Sequence, residues 1–195
     1  MGKGPSYPAE LIDCLEVFWG KGFLSPGGPQ EVCEILKGIP LSGRSILDIG
    51  CGIAGPAIVM ARDLNAQKVF GIDVEPQVIE RGTLNVINAN LRTEIELKLI
   101  KPGLLPFSNE EFDVVFSKDS LIHIEDKAQY FQEILRVLKP AGIFAASDWL
   151  ASDNSGELPE FKKWIETSPH KFTMQTKVQA ENEIMKYKNS ICFRY

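Results

Sequence analysis

Acidic residues flank a glycine-rich turn in the first half of the chain. Asp48 lies two residues before Gly50, and Gly50, Gly52 and Gly55 have the spacing G-x-G-x-x-G. Glycines at this spacing permit a tight turn and let a ligand approach the backbone closely. Further along, the carboxylate of Asp73 could accept hydrogen bonds from two adjacent ribose hydroxyls. These residues predict a site for a nucleotide-containing cofactor, and NAD is an open alternative at this point.

The position of Asp48 discriminates between cofactors. A carboxylate that points into the glycine turn would repel the pyrophosphate of a dinucleotide. It would instead attract the ammonium group of an amino acid moiety, directly or through water. The sequence therefore favours a cofactor that joins a nucleoside to a charged amino acid.

From residue 44 onward, short apolar runs alternate with amphipathic segments. The predicted strands cover residues 45–49, 68–73, 94–100, 112–117 and 142–150, and the predicted helices between them cover 54–66, 76–89 and 127–139. Such alternation predicts a Rossmann-like α/β fold, doubly wound, with a mostly parallel sheet and helices on both faces. Ligands of these sheets bind beyond the carboxyl ends of the strands, where Asp48 and Asp73 lie.

The two ends of the chain differ from this pattern. Helical spacing over 8–19 and 29–38, interrupted by GKGFLSPGG, predicts an N-terminal helical lid over residues 1–43, before a domain over 44–195. After the fifth strand, helices are predicted at 157–167 and 177–187, and a strand at 190–195. The sheet is therefore expected to have an incomplete C-terminal edge. An uncovered edge strand favours self-association, so a homodimer is a hypothesis.

Composition narrows the classes of partner. A net charge of −5 argues against nucleic acid as a partner, and no apolar run is long enough to span a bilayer. The cysteines are scattered and the two histidines lie far apart, so no metal site is expected. Scattered cysteines and the lack of an apolar signal core predict a cytoplasmic protein.

Four segments resemble, in order, the motifs of class I S-adenosylmethionine-dependent methyltransferases. They are LDIGCGIAG, the strand-end residue Asp73, LPFSNEEFDVVFS and LKPAG, and they cover roughly residues 44–150. The resemblance implies S-adenosylmethionine as the cofactor. The cofactor-binding residues expected in and beside these segments are Asp48, Gly50, Gly52, Asp73, Val74, Pro102, Ser117 and Lys118. The chain departs from many members of the family at Lys101, where an acidic residue usually lies near the adenine amino group.

Two further segments are similar to phosphoethanolamine N-methyltransferases. Residues 6–28 resemble that family's N-terminal lid, and SKDSLIH (117–123) resembles its S-R-D-A-x-x-H signature. The resemblance implies that Tyr7 and His123 form a catalytic pair and that Asp119 faces the substrate amine. It also implies that Leu24 and Ser25 touch the cofactor, and that Lys118 replaces the family's arginine.

The same roles are chemically sensible without the resemblance. An amine is mostly protonated near neutral pH, so a group must remove a proton, and histidine is the natural choice. Asp119 could hold the cationic amine, and Tyr7 could close the lid by a hydrogen bond to His123. Structural alternatives stay open: His123 as a packed residue, Asp119 as the cap of a following helix, and Tyr7 as a disordered terminal residue.

The resemblance weakens where the family binds phosphate. Its arginine and tyrosines correspond approximately to His170, Phe172 and Trp149, and Leu15 replaces a lid tyrosine. Loss of a guanidinium and of phenol donors argues against a phosphorylated substrate. The expected function is methyl transfer to a small molecule, most simply an amine. The alternatives are an O- or C-methyltransferase, a non-catalytic S-adenosylmethionine-binding subunit, and an NAD-dependent oxidoreductase.

Overall fold

A computed structural model of the protein describes residues 7–155, 158–168 and 172–186. Its strands form a five-stranded sheet in the order β3-β2-β1-β4-β5, and all neighbouring strands are parallel. Their bounds are β1 (Ser45–Ile49), β2 (Lys68–Asp73), β3 (Ile95–Leu99), β4 (Phe112–Lys118) and β5 (Leu138–Ser147). The predicted fold class is confirmed.

Helices precede, connect and follow the strands. They are α1 (Ala9–Trp19), α2 (Gly28–Ile35), α3 (Gly55–Arg62), α4 (Pro76–Asn88), α5 (Lys127–Val137), α6 (Pro159–Thr167) and α7 (Lys177–Met185), with a short 3-10 helix at Leu121–His123. Prolines lie in the first turn of α2, α3, α4 and α6, where a missing N–H costs no helical hydrogen bond. The strand predicted at 190–195 lies outside the described residues.

The two faces of the sheet bury separate apolar clusters. Along β1, Ile46 packs in one cluster with residues of α2, α3 and α4, whereas Leu47 packs in the other with residues of α5. Successive side chains of a strand point to opposite faces, so helices cover both sides of β1. This packing fixes the carboxyl end of β1, from which the glycine turn starts.

The boundary between α5 and β5 differs from the expectation. We predict a helix through residue 139 and a strand from 142, but the helix ends at Val137 and the strand begins at Leu138. Pro140 therefore lies within β5, and the pairing register with β4 shifts between Phe112 and Val114. A proline is tolerated there because β5 is at the edge of the described sheet.

Within the described ranges, no helix combines the length and apolar character needed to cross a membrane. Nor do those ranges contain a cluster of three or more His, Cys, Asp or Glu side chains able to hold a metal ion.

Candidate functional site

A cleft of about 440 Å³ lies at the carboxyl ends of β1, β2 and β4, beneath the N-terminal segment. This is the position at which sheets of this topology bind ligands. Most of the predicted site residues line it: Tyr7, Leu24, Ser25, Gly50, Gly52, Asp73, Val74, Lys118, Asp119 and His123. The structure therefore brings the three predicted catalytic residues and most of the predicted cofactor residues to one cavity.

The glycine turn forms the floor of the cleft. Gly50 and Gly52 have φ angles of 67° and 54°, a left-handed conformation that glycine adopts without strain. A Cβ atom at Gly50 would overlap the Ser120 side chain. The Gly50 and Cys51 N–H groups donate to the Ile72 carbonyl oxygen at 2.9 and 3.0 Å, which fixes the turn against β2.

Asp73 is held at the end of β2 by backbone donors. Its Oδ2 accepts from the Gly52 N–H at 3.1 Å, and its Oδ1 accepts from the Val74 and Glu75 N–H groups at 2.7 and 3.0 Å. Burial raises the pKa of this carboxyl above its ordinary value, and the three N–H donors oppose the rise. The side chain is thus preorganised on the cleft wall.

Asp48 lies under the floor and does not line the cleft. Its residue is only 1% exposed, and its Oδ2 has no hydrogen-bond partner among the described residues. Burial, together with the nearby charge of Asp73, raises its pKa to about 8. A buried carboxylate oxygen without a partner is costly, so this group would be stabilised by a cationic ligand.

Lys118 joins the end of β4 to the N-terminal segment. Its Nζ lies 2.8 Å from the Ser25 hydroxyl, 2.6 Å from the Pro26 carbonyl oxygen and 2.9 Å from a Glu31 carboxylate oxygen. It also contacts Asp119 Oδ2 at 2.5 Å. The side chain is almost fully buried, and its ammonium group holds together the loop at Ser25 and Pro26, helix α2 and Asp119.

Asp119 follows β4 in an uncommon backbone conformation. Its φ angle is +55°, which aspartate tolerates better than most residues. Ser120 is the N-terminal flanking residue of the 3-10 helix, and no side chain caps that helix. The capping alternative for Asp119 is therefore wrong, and its carboxylate is directed to Lys118 and the cleft.

His123 ends the 3-10 helix and is exposed at the mouth of the cleft. Lys127 Nζ donates to the Leu121 and Ile124 carbonyl oxygens at 2.7 and 3.0 Å. On the other side, the Thr173 N–H donates to the Ile122 carbonyl oxygen at 2.7 Å. The backbone that carries His123 is therefore held from both sides.

The N-terminal segment packs closely over the glycine turn. A Cβ at Gly55, the first residue of α3, would overlap the Gly22 carbonyl. Arg81 of α4 pairs with Asp13 and Glu16 of α1 at 2.5 and 3.0 Å, and Glu16 also accepts from the Gly22 N–H at 2.8 Å.

Tyr7 lies on the wall of the cleft, where it packs with Leu24 beside the buried cluster of Ile12, Ile53 and Val78. Burial, followed by the charges of Asp73 and Glu75, raises the pKa of its phenol. The phenol therefore keeps its proton near neutral pH and can act as a hydrogen-bond donor.

Residues 40–189 match the methyltransferase domain family. The chain belongs to this family. Together with the fold, the match confirms the predicted resemblance to class I methyltransferases.

Named relatives include enzymes with different acceptors. A wheat (Triticum aestivum) phosphoethanolamine N-methyltransferase is 32% identical over 147 residues, which is 75% of this chain and 28% of the relative. The 2-methyl-6-phytyl-1,4-hydroquinone methyltransferase of Synechocystis is also 32% identical over 147 residues, covering 72% of this chain and 45% of that one. The chain spans about a third or less of the plant phosphoethanolamine relatives.

A solved structure has a similar fold. Haemonchus contortus phosphoethanolamine N-methyltransferase 2, in complex with phosphomonomethylethanolamine and S-adenosylhomocysteine, superposes with a TM-score of 0.82 and 28% identity. The match covers 90% of this chain and 40% of that one.

Some predicted residues of the methyltransferase domain lie apart from the cleft lining. Pro102 is exposed on the loop after β3, and Ser117 is buried, with its hydroxyl 2.7 Å from that of Ser120. Like Asp48, they remain predicted cofactor residues. Of the residues matched to phosphate binding, Phe172 and Trp149 are described, whereas His170 lies outside the described residues.

Sequence reasoning missed other cleft residues. Glu75 lies two residues after Asp73, and Tyr130 lies on α5 one helical turn before the buried Ile134. Burial and the charge of Glu133 raise the pKa of the Tyr130 phenol well above its usual range. The inward position of Tyr130 on the apolar face of α5 was the signal that could have identified it.

Proposed function

We propose that this chain transfers a methyl group from S-adenosylmethionine to a small-molecule amine. The observation that carries the proposal is one cleft lined by the Gly50–Gly52 turn, Asp73, Asp119 and His123. The relatives named for phosphoethanolamine and for a hydroquinone support methyl transfer but differ in acceptor. The charge and protonation chemistry of the cleft favour an amine.

The residues present fit S-adenosylmethionine better than a dinucleotide. The Gly50–Gly52 backbone and Asp73 would hold the nucleoside, with Leu24 and Val74 beside it. The unpartnered Oδ2 of Asp48 offers a counter-charge for an ammonium group near the turn. Asp73, Glu75 and Asp119 make the cleft acidic, which would repel the two negative charges of a pyrophosphate.

When bound, the cofactor supplies a methyl group on a positively charged sulfur, whose C–S bond breaks as the amine lone pair forms the C–N bond. The task of the chain is to deprotonate and align the amine. We propose that Asp119 orients the ammonium and that His123 accepts its proton. Because His123 is exposed, it can pass that proton to solvent. The Tyr7 phenol would close the cleft by hydrogen bonding toward His123.

We also propose that residues 1–43 act as the lid over a domain of 44–195, supported by the contacts of Gly22 with Gly55 and of Lys118 with Ser25.

A homodimer is supported by the edge position of β5, which pairs only with β4 among the described strands. Light scattering tests it, since a monomer at working concentration contradicts it. A cytoplasmic location stays a proposal from the scattered free thiols, to be tested by cell fractionation.

Cofactor titration separates the candidate functions. We expect S-adenosylhomocysteine to bind in calorimetry and NAD not to bind; binding of NAD alone contradicts the proposal. A panel of amine, hydroxyl and carbon acceptors with labelled methyl donor then locates the transferred group. Label on nitrogen supports the proposal, label on oxygen or carbon supports the other methyltransferase classes, and binding without any transfer supports a non-catalytic subunit.

A further inference from the structure

An aromatic stack adjoins the cleft at His123. The His123 and Phe172 ring centroids are 5.3 Å apart with planes tilted by 36°, and Phe172 stacks on Trp164 at 5.2 Å with planes 16° apart. We call these three rings the aromatic stack. Trp164 is 47% exposed, so the stack extends the wall of the cleft outward with an accessible apolar surface.

The charges around the cleft are mostly negative. Asp73, Glu75 and Asp119 line it, and Lys118 is the cation among the described lining residues apart from His123. The three protons of the Lys118 ammonium are already shared among four oxygen acceptors, on Ser25, Pro26, Glu31 and Asp119.

Lys127, the next lysine along the chain, also has its ammonium group engaged in hydrogen bonds. Lys127 donates to two backbone carbonyl oxygens of the turn that carries His123. A phosphate on the acceptor would therefore bring about two negative charges to the carboxylates of the cleft, where Lys118, the lysine of the described lining, and the neighbouring Lys127 are already engaged.

We infer that the acceptor is a phosphate-free amine whose non-reacting end packs on the aromatic stack. This inference rests on the proposed methyl transfer and specifies its substrate class. A positively charged amine suits both parts of the site, because carboxylates attract it and aromatic faces favour cations. An aromatic or aliphatic body attached to that amine would be desolvated against Phe172 and Trp164.

Three acceptors that share an aminoethyl group test the inference. Phosphoethanolamine, ethanolamine and 2-phenylethylamine differ only in the group at the far end: a phosphate, a hydroxyl or a phenyl ring. We expect kcat/KM to be highest for 2-phenylethylamine and lowest for phosphoethanolamine. The value for 2-phenylethylamine should exceed that for ethanolamine by roughly threefold to tenfold. Equal or greater efficiency with phosphoethanolamine overturns the inference.

Variants locate the preference on the stack. Trp164→Ala and Phe172→Ala should lower the ratio of kcat/KM for 2-phenylethylamine over ethanolamine by roughly threefold to tenfold. If Phe172→Ala merely disturbed His123, both substrates would lose efficiency equally. Trp164→Ala is a second test of the stack, because Trp164 stacks on Phe172. Phe18→Ala removes another exposed ring, on α1 and outside the cleft, and should leave the ratio unchanged. An unchanged ratio in both stack variants overturns the inference.

Failure of the inference and failure of the proposed function give different results. If S-adenosylhomocysteine does not bind the unmodified chain in calorimetry, the proposed function fails, and this inference with it. If it binds but phosphoethanolamine is the preferred acceptor, or none of the three amines is methylated, only the substrate class assigned here is overturned.

Discussion

The cofactor half and the acceptor half of the cleft are built in different ways. The cofactor half consists of the glycine turn between β1 and α3 and of Asp73, whose carboxylate is held by three backbone N–H groups, one from that turn and two from the residues that follow Asp73. The acceptor half consists of side chains from distant parts of the chain; His123 and Phe172, for example, are 49 residues apart, yet their ring centroids lie 5.3 Å from each other. A backbone cradle suits an unchanging donor, whereas a wall of side chains can change its acceptor without disturbing the fold.

The largest effect is expected at His123, in the acceptor half. Replacing His123 by Ala should lower kcat by roughly 100-fold or more, because general base catalysis contributes at least that much in many enzymes. The affinity for S-adenosylhomocysteine should change little, as measured by calorimetry. Equal losses in kcat and cofactor affinity would indicate that His123 has a structural role. The two halves of the cleft would then not be functionally separate.

The next largest effect is expected at Asp73, in the cofactor half. Asp73→Ala removes hydrogen bonds to a charged group, each contributing about 1.5–3 kcal/mol, so cofactor affinity should fall tenfold or more. Asp113→Ala is a matched control, because that carboxylate pairs with Lys139 and lies outside the cleft. An unchanged cofactor affinity in Asp73→Ala would remove this residue from the nucleoside site.

Asp48 gives the cofactor half a pH dependence. The pKa of this carboxyl rises from 3.8 to about 8 in the folded chain, so the folded state holds a proton that the unfolded state has lost between these values. The unfolding free energy should therefore fall as pH rises through this window, by up to about 1.4 kcal/mol per pH unit from this group. Asp48→Asn should flatten that slope in denaturant unfolding at several pH values.

Calorimetry sharpens the test of Asp48. A cationic group bound beside it favours the ionised form, so S-adenosylhomocysteine binding at pH 7 should release a proton, seen as a dependence of the binding heat on the buffer. The Asn variant should release less. Identical proton release and identical pH slopes in both proteins would contradict the assigned role.

The smallest effect is expected at Arg81, which anchors α1 from the opposite side. Its side chain is 33% exposed, and such ion pairs contribute at most about 1 kcal/mol each. Arg81→Ala should raise KM for donor and acceptor by a few-fold, with little change in kcat. Lys37→Ala removes a largely exposed ion pair with Glu34 and serves as the control. Larger effects on kcat than on KM would show that α1 does more than cover the cleft.

The same contrast explains what the sequence could predict. The glycine turn and Asp73 are read directly, because local backbone geometry requires particular residue types at short spacing. The entry of Pro140 into β5 was not predicted, since only the edge position of that strand makes a proline acceptable. Glu75 and Tyr130 were missed because their place in the cleft depends on tertiary packing rather than on a motif.

The acceptor side depended more on resemblance. Asp119 and His123 could be placed after β4 from a signature, but the four-way contact of Lys118 joins segments that no local pattern connects. Likewise, the stacking of Phe172 between His123 and Trp164 depends on how the chain after β5 folds back.

The buried ammonium of Lys118 has a thermodynamic consequence for the order of events. An incoming amine that pairs with Asp119 competes with Lys118 for the same oxygen, and the displaced attraction is then available to Ser25, Pro26 and Glu31. Occupancy of the acceptor position should thus tighten the hold on the N-terminal segment, and by reciprocity a tightened segment should bind the amine with higher affinity. Departure of the methylated product and loosening of residues 25–31 are then two sides of one equilibrium.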